Sequence, residues 1–266
     1  MSILRALLVV VLAFTLLACA SVQEQEREDK KQFDIADTNL RLGLGYLQRG
    51  QLDAALEKLQ KAVATMPDYA EAQSSLALVY VQLDNNEKAE IHYQRALELS
   101  PKDGSILNNY AVFLCGSGRP AEAEAYFLKA IQSRNYHTPA QALENLGVCA
   151  MQIPDMAKAE TYLRKALQID PKLPRALLQM ARISLEEKNA MSGRAYLQRY
   201  QEVSPLGADG LWLGIQVERE LGDTATAQDY ENRLRRHFPD SKELQLLLKS
   251  EAAEAQAKPK TGAAGK

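Results

Sequence analysis

Three histidines and three cysteines are the side chains whose chemistry operates near neutral pH. His92, His137 and His237 lie far apart along the chain, and none stands at metal-ligand spacing with Cys, Asp or Glu. His237 follows Arg235 and Arg236, which suits the C-terminal turn of a helix, where positive charge meets the negative end of the dipole. Gly43 and Gly45 lack the lysine or third glycine of a phosphate-binding loop, and no G-x-S-x-G nucleophile elbow is present. Cys115 and Cys149 fall at about the twelfth and tenth positions of neighbouring repeats. Those positions point in different directions on a helix, so two buried free thiols are expected over a disulfide. No catalytic residue, no metal, no cofactor and no small-molecule substrate are expected.

The elements that hold these residues are periodic. Leu42, Gly43, Tyr46, Ala55, Leu59, Ala62 and Pro67 are followed 34 residues on by Leu76, Ala77, Tyr80, Ala89, Tyr93, Ala96 and Pro101. A third set is Tyr110, Ala111, Leu114, Ala123, Phe127 and Ala130, and a fourth is Leu146, Gly147, Ala159, Leu163, Ala166 and Pro171. Weaker fifth and sixth sets run through Met180, Ala181, Leu197 and Pro205, then Leu213, Gly214, Ala227, Leu234 and Pro239. The first helix of the sixth is out of step with its second by one residue, and the exit of the third (133–139) is two residues longer than the period. Small residues at fixed positions let two antiparallel helices approach, and larger ones fill the gap. This is the tetratricopeptide pattern. The expected fold is therefore all-α: a tetratricopeptide repeat solenoid of about six helix-turn-helix repeats (36–69, 70–103, 104–137, 140–173, 174–207 and 208–241). A C-terminal helix, N-capped by Ser241 with Leu244, Leu247 and Leu248 inward, would close the core.

The ends read differently. Arg5 followed by an apolar run over 6–17 is too short to span a bilayer and has the form of a secretory signal peptide. Its end, Leu16-Leu17-Ala18-Cys19, resembles a bacterial lipobox. That resemblance implies a signal peptide over 1–18, diacylglycerol and an acyl chain on Cys19, and, because Ala20 is not aspartate, sorting to the outer membrane with the body facing the periplasm. Residues 19–34 form a charge-rich tether. It is expected to be flexible, with a reach on the order of 20 Å, or else to extend the first helix backwards, since it holds no Gly or Pro. Residues 35–251 form the body, and 252–266 are expected to be disordered. With 32 basic and 34 acidic residues the chain has no excess of positive charge, so no nucleic-acid partner is expected.

Without a catalytic constellation, function falls to a surface. In such solenoids the first helices line a concave face. Leu44, Leu78, Val112 and Val148 occupy one position of successive first helices, and Leu47, Val81, Cys115 and Met151 another. A polar row of Arg41, Ser75, Asn109 and Asn145 runs beside them. An apolar strip edged by amides suits a peptide from another protein; the alternative is that some of these residues, Leu44 and Leu78 first, are core between helices. Repeat one holds Leu40 and Leu44 where carboxylate-clamping tetratricopeptide domains have lysine and asparagine, so that mode is not expected. Leu40, Leu44 and Leu47 beside Arg41 make repeat one the leading candidate for an exposed groove.

A lipobox, a charged tether and about six such repeats, with Leu42–Gly50, Leu107–Leu114, Glu144–Gly147 and Leu213–Leu221 carrying the match, resemble the PilF/PilW family of type IV pilus biogenesis lipoproteins. The resemblance implies a pilotin. It would bind the type IV pilus secretin (PilQ-like), travel with it through the lipoprotein sorting machinery, and promote its assembly in the outer membrane, held there by the lipid anchor. A role in pilus stability, or in another cell-envelope complex, is the alternative the family leaves open.

Overall fold

The computed structural model describes residues 2–153 and 156–257, with side chains described for 23–153, 156–254 and 256. Among these residues there are thirteen helices and no strand. They divide into two compact units between Tyr136 and His137.

The first unit contains α1 (Ser2–Gln48), α2 (Leu52–Thr65), α3 (Ala70–Gln82), α4 (Asn86–Leu99), α5 (Gly104–Gly116) and α6 (Pro120–Gln132). Consecutive helices pair as hairpins, α1 with α2, α3 with α4 and α5 with α6, and each second helix packs on the next first helix. The turns inside the hairpins are set by a left-handed residue every 34 positions: Gly50 (φ 69°), Asp84 (φ 55°) and Gly118 (φ 77°). Close approach follows from the small residues. A Cβ on Gly43 would stand 2.5 Å from Leu59 Cγ, which fixes how nearly α1 meets α2. Ala55, Leu59, Ala62, Ala77, Tyr93, Ala111 and Phe127 are buried, as the period requires. Tyr93 packs against Phe113 and Tyr110, and Tyr110 meets Tyr126 edge-on at 4.8 Å.

The second unit contains α7 (Pro139–Ala150), α8 (Met156–Ile169), α9 (Pro174–Glu186), α10 (Ala190–Gln201), α11 (Ala208–Glu220), α12 (Thr224–His237) and α13 (Lys242–Ala257). The same rules recur: a Cβ on Gly147 would fall 2.6 Å from Leu163 Cγ, and Lys188 (φ 61°) and Gly222 (φ 75°) take the left-handed turn positions. α13 lies on α11 and α12, with Ser241 capping it through a bond from the Leu244 amide (3.1 Å). Leu244 and Leu247 are buried, whereas Leu248, expected to face inward, is 47% exposed. It sits one residue past the inward-facing turn.

Three other expectations are corrected or decided. The segment 20–34 is part of α1, the backward extension, and not a flexible tether. Pairs such as Gln25–Asp29 (2.8 Å) and Gln32–Glu28 (2.9 Å) support a helix with no Gly or Pro to stop it. Residues 252–257, expected to be disordered, continue α13, where Glu254 pairs with Arg219 (3.2 Å). The rest of the expected disordered tail, 258–266, lies outside the described residues. Cys115 and Cys149 are both disulfide-bonded and not free thiols. Counted from Gly104 and Pro139, they are the twelfth residue of α5 and the eleventh of α7, a smaller offset than the repeat count implied.

Candidate partner-binding surface

In the first unit α1, α3 and α5 lie side by side, so residues 34 apart fall into rows across them. Leu44 on α1 and Leu78 on α3 are half-buried, and Val112 on α5 is 43% exposed. Leu47 and Val81, one turn further along, are also half-buried, as is Asn109 beside Val112. The apolar strip therefore exists as a solvent-reaching face on the first three repeats. One member is not part of it: Leu40 is 2% exposed and belongs to the core. The helix phase places Leu40 with Ala36 and Gly43, which face α2, while Arg41 turns outward.

The N-terminal end of this face is charged. Arg41 Nε pairs with Asp37 Oδ2 at 2.8 Å, and the Tyr69 hydroxyl donates to Asp37 Oδ1 at 3.1 Å. Burial, with Glu71 and Asp37 nearby, pushes the Tyr69 phenol up to about 12. The Glu71 carboxyl is raised first by burial and then by the like charges of Asp103 and Asp37, against which Arg41 acts. The face thus runs from an acidic end to an apolar end.

In the second unit Asn145 accepts a bond from Arg175 (3.0 Å), and Val148 and Met151 are packed against the Leu163–Met180 core, which leaves them less open than Val112. The expected polar row is therefore partly committed to holding helices together. Cys19 lies in the backbone of α1, but its side chain is outside the described residues, as is the signal-peptide reading of the side chains before it.

The histidines have structural surroundings. His92 Nδ1 is 2.7 Å from Gln73 Oε1, its ring stacks on Tyr80 at 5.4 Å, and burial followed by the Lys88 charge lowers its pKa. His237 falls with Arg235 and Arg236 in the last turn of α12. Among the described residues no group of three or more His, Cys, Asp and Glu is placed to hold a metal ion. Sequence reasoning missed Glu90, which accepts from the Tyr110 hydroxyl (2.5 Å) and from Arg119 (2.8 Å) and so ties the second repeat to the third. Only the hydroxyl on a core position, Tyr110, hinted that an acceptor was needed beside it.

Helix pairs repeating every 34 residues, with an open face on the first helices, define a tetratricopeptide-repeat protein, and the family model described as tetratricopeptide repeat matches residues 34–102 and 103–172. The type IV pilus assembly protein PilF of Pseudomonas aeruginosa is 33% identical over 243 residues, 91% of this chain and 96% of that protein. The solved structure of PilW, described as a widely conserved type IV pilus biogenesis factor, superposes with a TM-score of 0.75 at 33% identity, covering 80% of this chain and 98% of that one. A structure from the functional characterisation of Pseudomonas aeruginosa PilF also gives a TM-score of 0.75, at 31% identity, with 83% and 99% covered. The chain belongs to the PilF/PilW family of tetratricopeptide-repeat proteins.

Proposed function

We propose that this protein is a pilotin for the type IV pilus: an outer-membrane lipoprotein, anchored through acyl chains on Cys19, that grips a secretin subunit and promotes its assembly. The observation that carries the reading is the likeness to PilF over nearly the whole of both chains, joined to a solvent-reaching apolar row on the first three repeats. The division of labour is physical. Each buried lipid methylene contributes about 0.8 kcal/mol, so two or three acyl chains supply a stable membrane address. Leu44, Leu78 and Val112 supply a burial surface for a helical or extended segment, and Asn109 pairs with its backbone. The acidic end at Asp37 and Glu71 favours a segment with a basic residue at that side. The protein turns nothing over; it holds and delivers.

Co-purification from detergent-solubilised envelopes tests this, with a blot for secretin multimers. Val112→Glu, at an exposed position, is expected to lose secretin while its helical circular dichroism is unchanged, and Leu44→Glu to do the same. Cys19→Ala is expected to keep secretin but leave it mislocalised. Secretin multimers that form normally in cells lacking the protein would end the pilotin reading and leave pilus stability, or another envelope complex, in its place.

A further inference from the structure

The exit of the third repeat, two residues longer than the period, is not used by the first-helix face. Insertions in repeat proteins map to loops on one side of the array, often a binding side. Here the extra chain is pinned in place. The Ser133 hydroxyl donates to the Lys102 carbonyl at 2.8 Å. Tyr136 lies so close to Gly104 that a Cβ on the glycine would be 2.5 Å from Tyr136 Cβ. Next to this segment is a cavity of about 510 Å3 with Pro101 and Leu107 as its apolar part.

The charges around the cavity are all of one sign. Lys102, Lys129 and Arg134 line it, and no acidic residue does. None of the three has an ion pair among the described residues; Lys129 rests over the Tyr126 ring at 5.0 Å. Elsewhere in the same unit Arg41, Arg95 and Arg119 are each paired with a carboxylate. In a chain of net charge −2, three cations without a carboxylate partner around one concavity are a local field that an anion would satisfy.

We propose that this pocket binds a carboxylate-rich segment of another protein. Gln132 and Asn135 at its edge each offer both a donor and an acceptor, which matches the alternating groups of a peptide backbone. Pro101 and Leu107 take an apolar side chain between the acidic ones. A bare phosphate would leave the amide acceptors and the apolar part unused. The lining shares no residue with the first-helix face, so the pocket's occupant and the secretin segment need not compete for the same side chains.

Fluorescence anisotropy of a labelled peptide alternating Glu and Leu, with the full chain in detergent, tests the pocket. Lys129→Glu and Arg134→Glu are each expected to weaken binding by about tenfold, more so at low salt, whereas Lys61→Glu on α2 leaves it unchanged. Gly104→Ala, which displaces Tyr136 without removing a charge, is expected to weaken it too. Equal binding of a Gln and Leu peptide, or an equal loss from Lys61→Glu, would overturn the proposal. So would displacement of the peptide by inorganic phosphate but not by free glutamate, which would make the pocket a phosphate site.

Discussion

Glu144 is an acid among the buried residues of α7, and its position explains itself. Its Oε1 accepts the backbone N–H of Ala176 at 2.7 Å. Ala176 is in the first turn of α9, whose leading N–H groups have no partner within the helix, so Glu144 caps the next repeat from outside. Burial raises the Glu144 carboxyl, with the Ala176 N–H and then Arg175 acting against the shift and Asp170 adding to it. Glu144→Ala strands the Ala176 N–H and is expected to lower stability by about 1–3 kcal/mol; Glu144→Gln keeps an acceptor and is expected to lose less. The pH dependence follows from the sign. A carboxyl raised in the fold binds its proton more tightly folded than unfolded, so its ionisation weakens the fold as pH rises through that pKa. Glu144→Gln removes this penalty and should therefore compare better with the wild type at about pH 7 than at about pH 4 in urea unfolding. Glu144 opens one of the stretches that carry the family match, but nothing in the sequence marks its capping role, because its partner is a backbone group 32 residues away. Leu40 is the opposite case: a residue type that fits both a groove and a core, separable only by a helix phase finer than the repeat alignment.

The helical hairpin is the element at which the sequence was most legible. The 34-residue spacing of small and large residues located the helices of five repeats, because the close contact Gly43–Leu59 recurs as Gly147–Leu163. The sixth hairpin shows why its own pattern was weaker. Its large residue, Tyr230, has moved back one position to lie against Gly214, 2.9 Å from where a Cβ would be. The position that holds Leu59, Tyr93, Phe127, Leu163 and Leu197 in other repeats here holds Glu231, buried and paired with Arg219 at 2.8 Å. Two of the turns were hidden for a different reason. Gly50, Gly118 and Gly222 announce a left-handed residue, but Asp84 and Lys188 adopt the same φ because the period forces it. Lys188 has the less suitable side chain, since an L-residue there suffers a Cβ clash of about 1–2 kcal/mol, partly offset by the greater unfolded freedom of glycine. Lys188→Gly should thus raise stability by about 0.5–1 kcal/mol, whereas Gly222→Ala should lower it by a similar amount. Equal and opposite shifts of the thermal midpoint would show that the turn conformation, and not a contact, sets both.

At the scale of the whole molecule two junctions between neighbouring repeats are tied by a charge pair that occurs with either sign. Glu90 on α4 bonds Arg119 in the turn of the next hairpin; Arg194 on α10 bonds Asp223 in the corresponding turn, at 3.3 Å, and also Glu218. Both members are displaced by 104 residues, which is three periods plus the two-residue insertion. At these two junctions the sign of the pair is reversed, so an alignment by residue type does not find it. Such arrays are stabilised mainly between neighbours. α13 is the last neighbour, and the apolar contacts, not the ion pairs, hold it. Burying Leu244 and Leu247 is worth about 1.5–3 kcal/mol each, whereas exposed pairs such as Arg219–Glu254 contribute about 0–1 kcal/mol. Ending the chain at Asp240 should accordingly lower amide-exchange protection in α11 and α12, whose apolar faces α13 covers, and leave α7 and α8 protected. Removing the pairs alone, with Glu251→Ala and Glu254→Ala, should change exchange in α12 by less than about 1 kcal/mol. Equal loss in α7 and α8 on truncation would mean that the second unit unfolds as one cooperative body, and that its repeats do not act as independent steps.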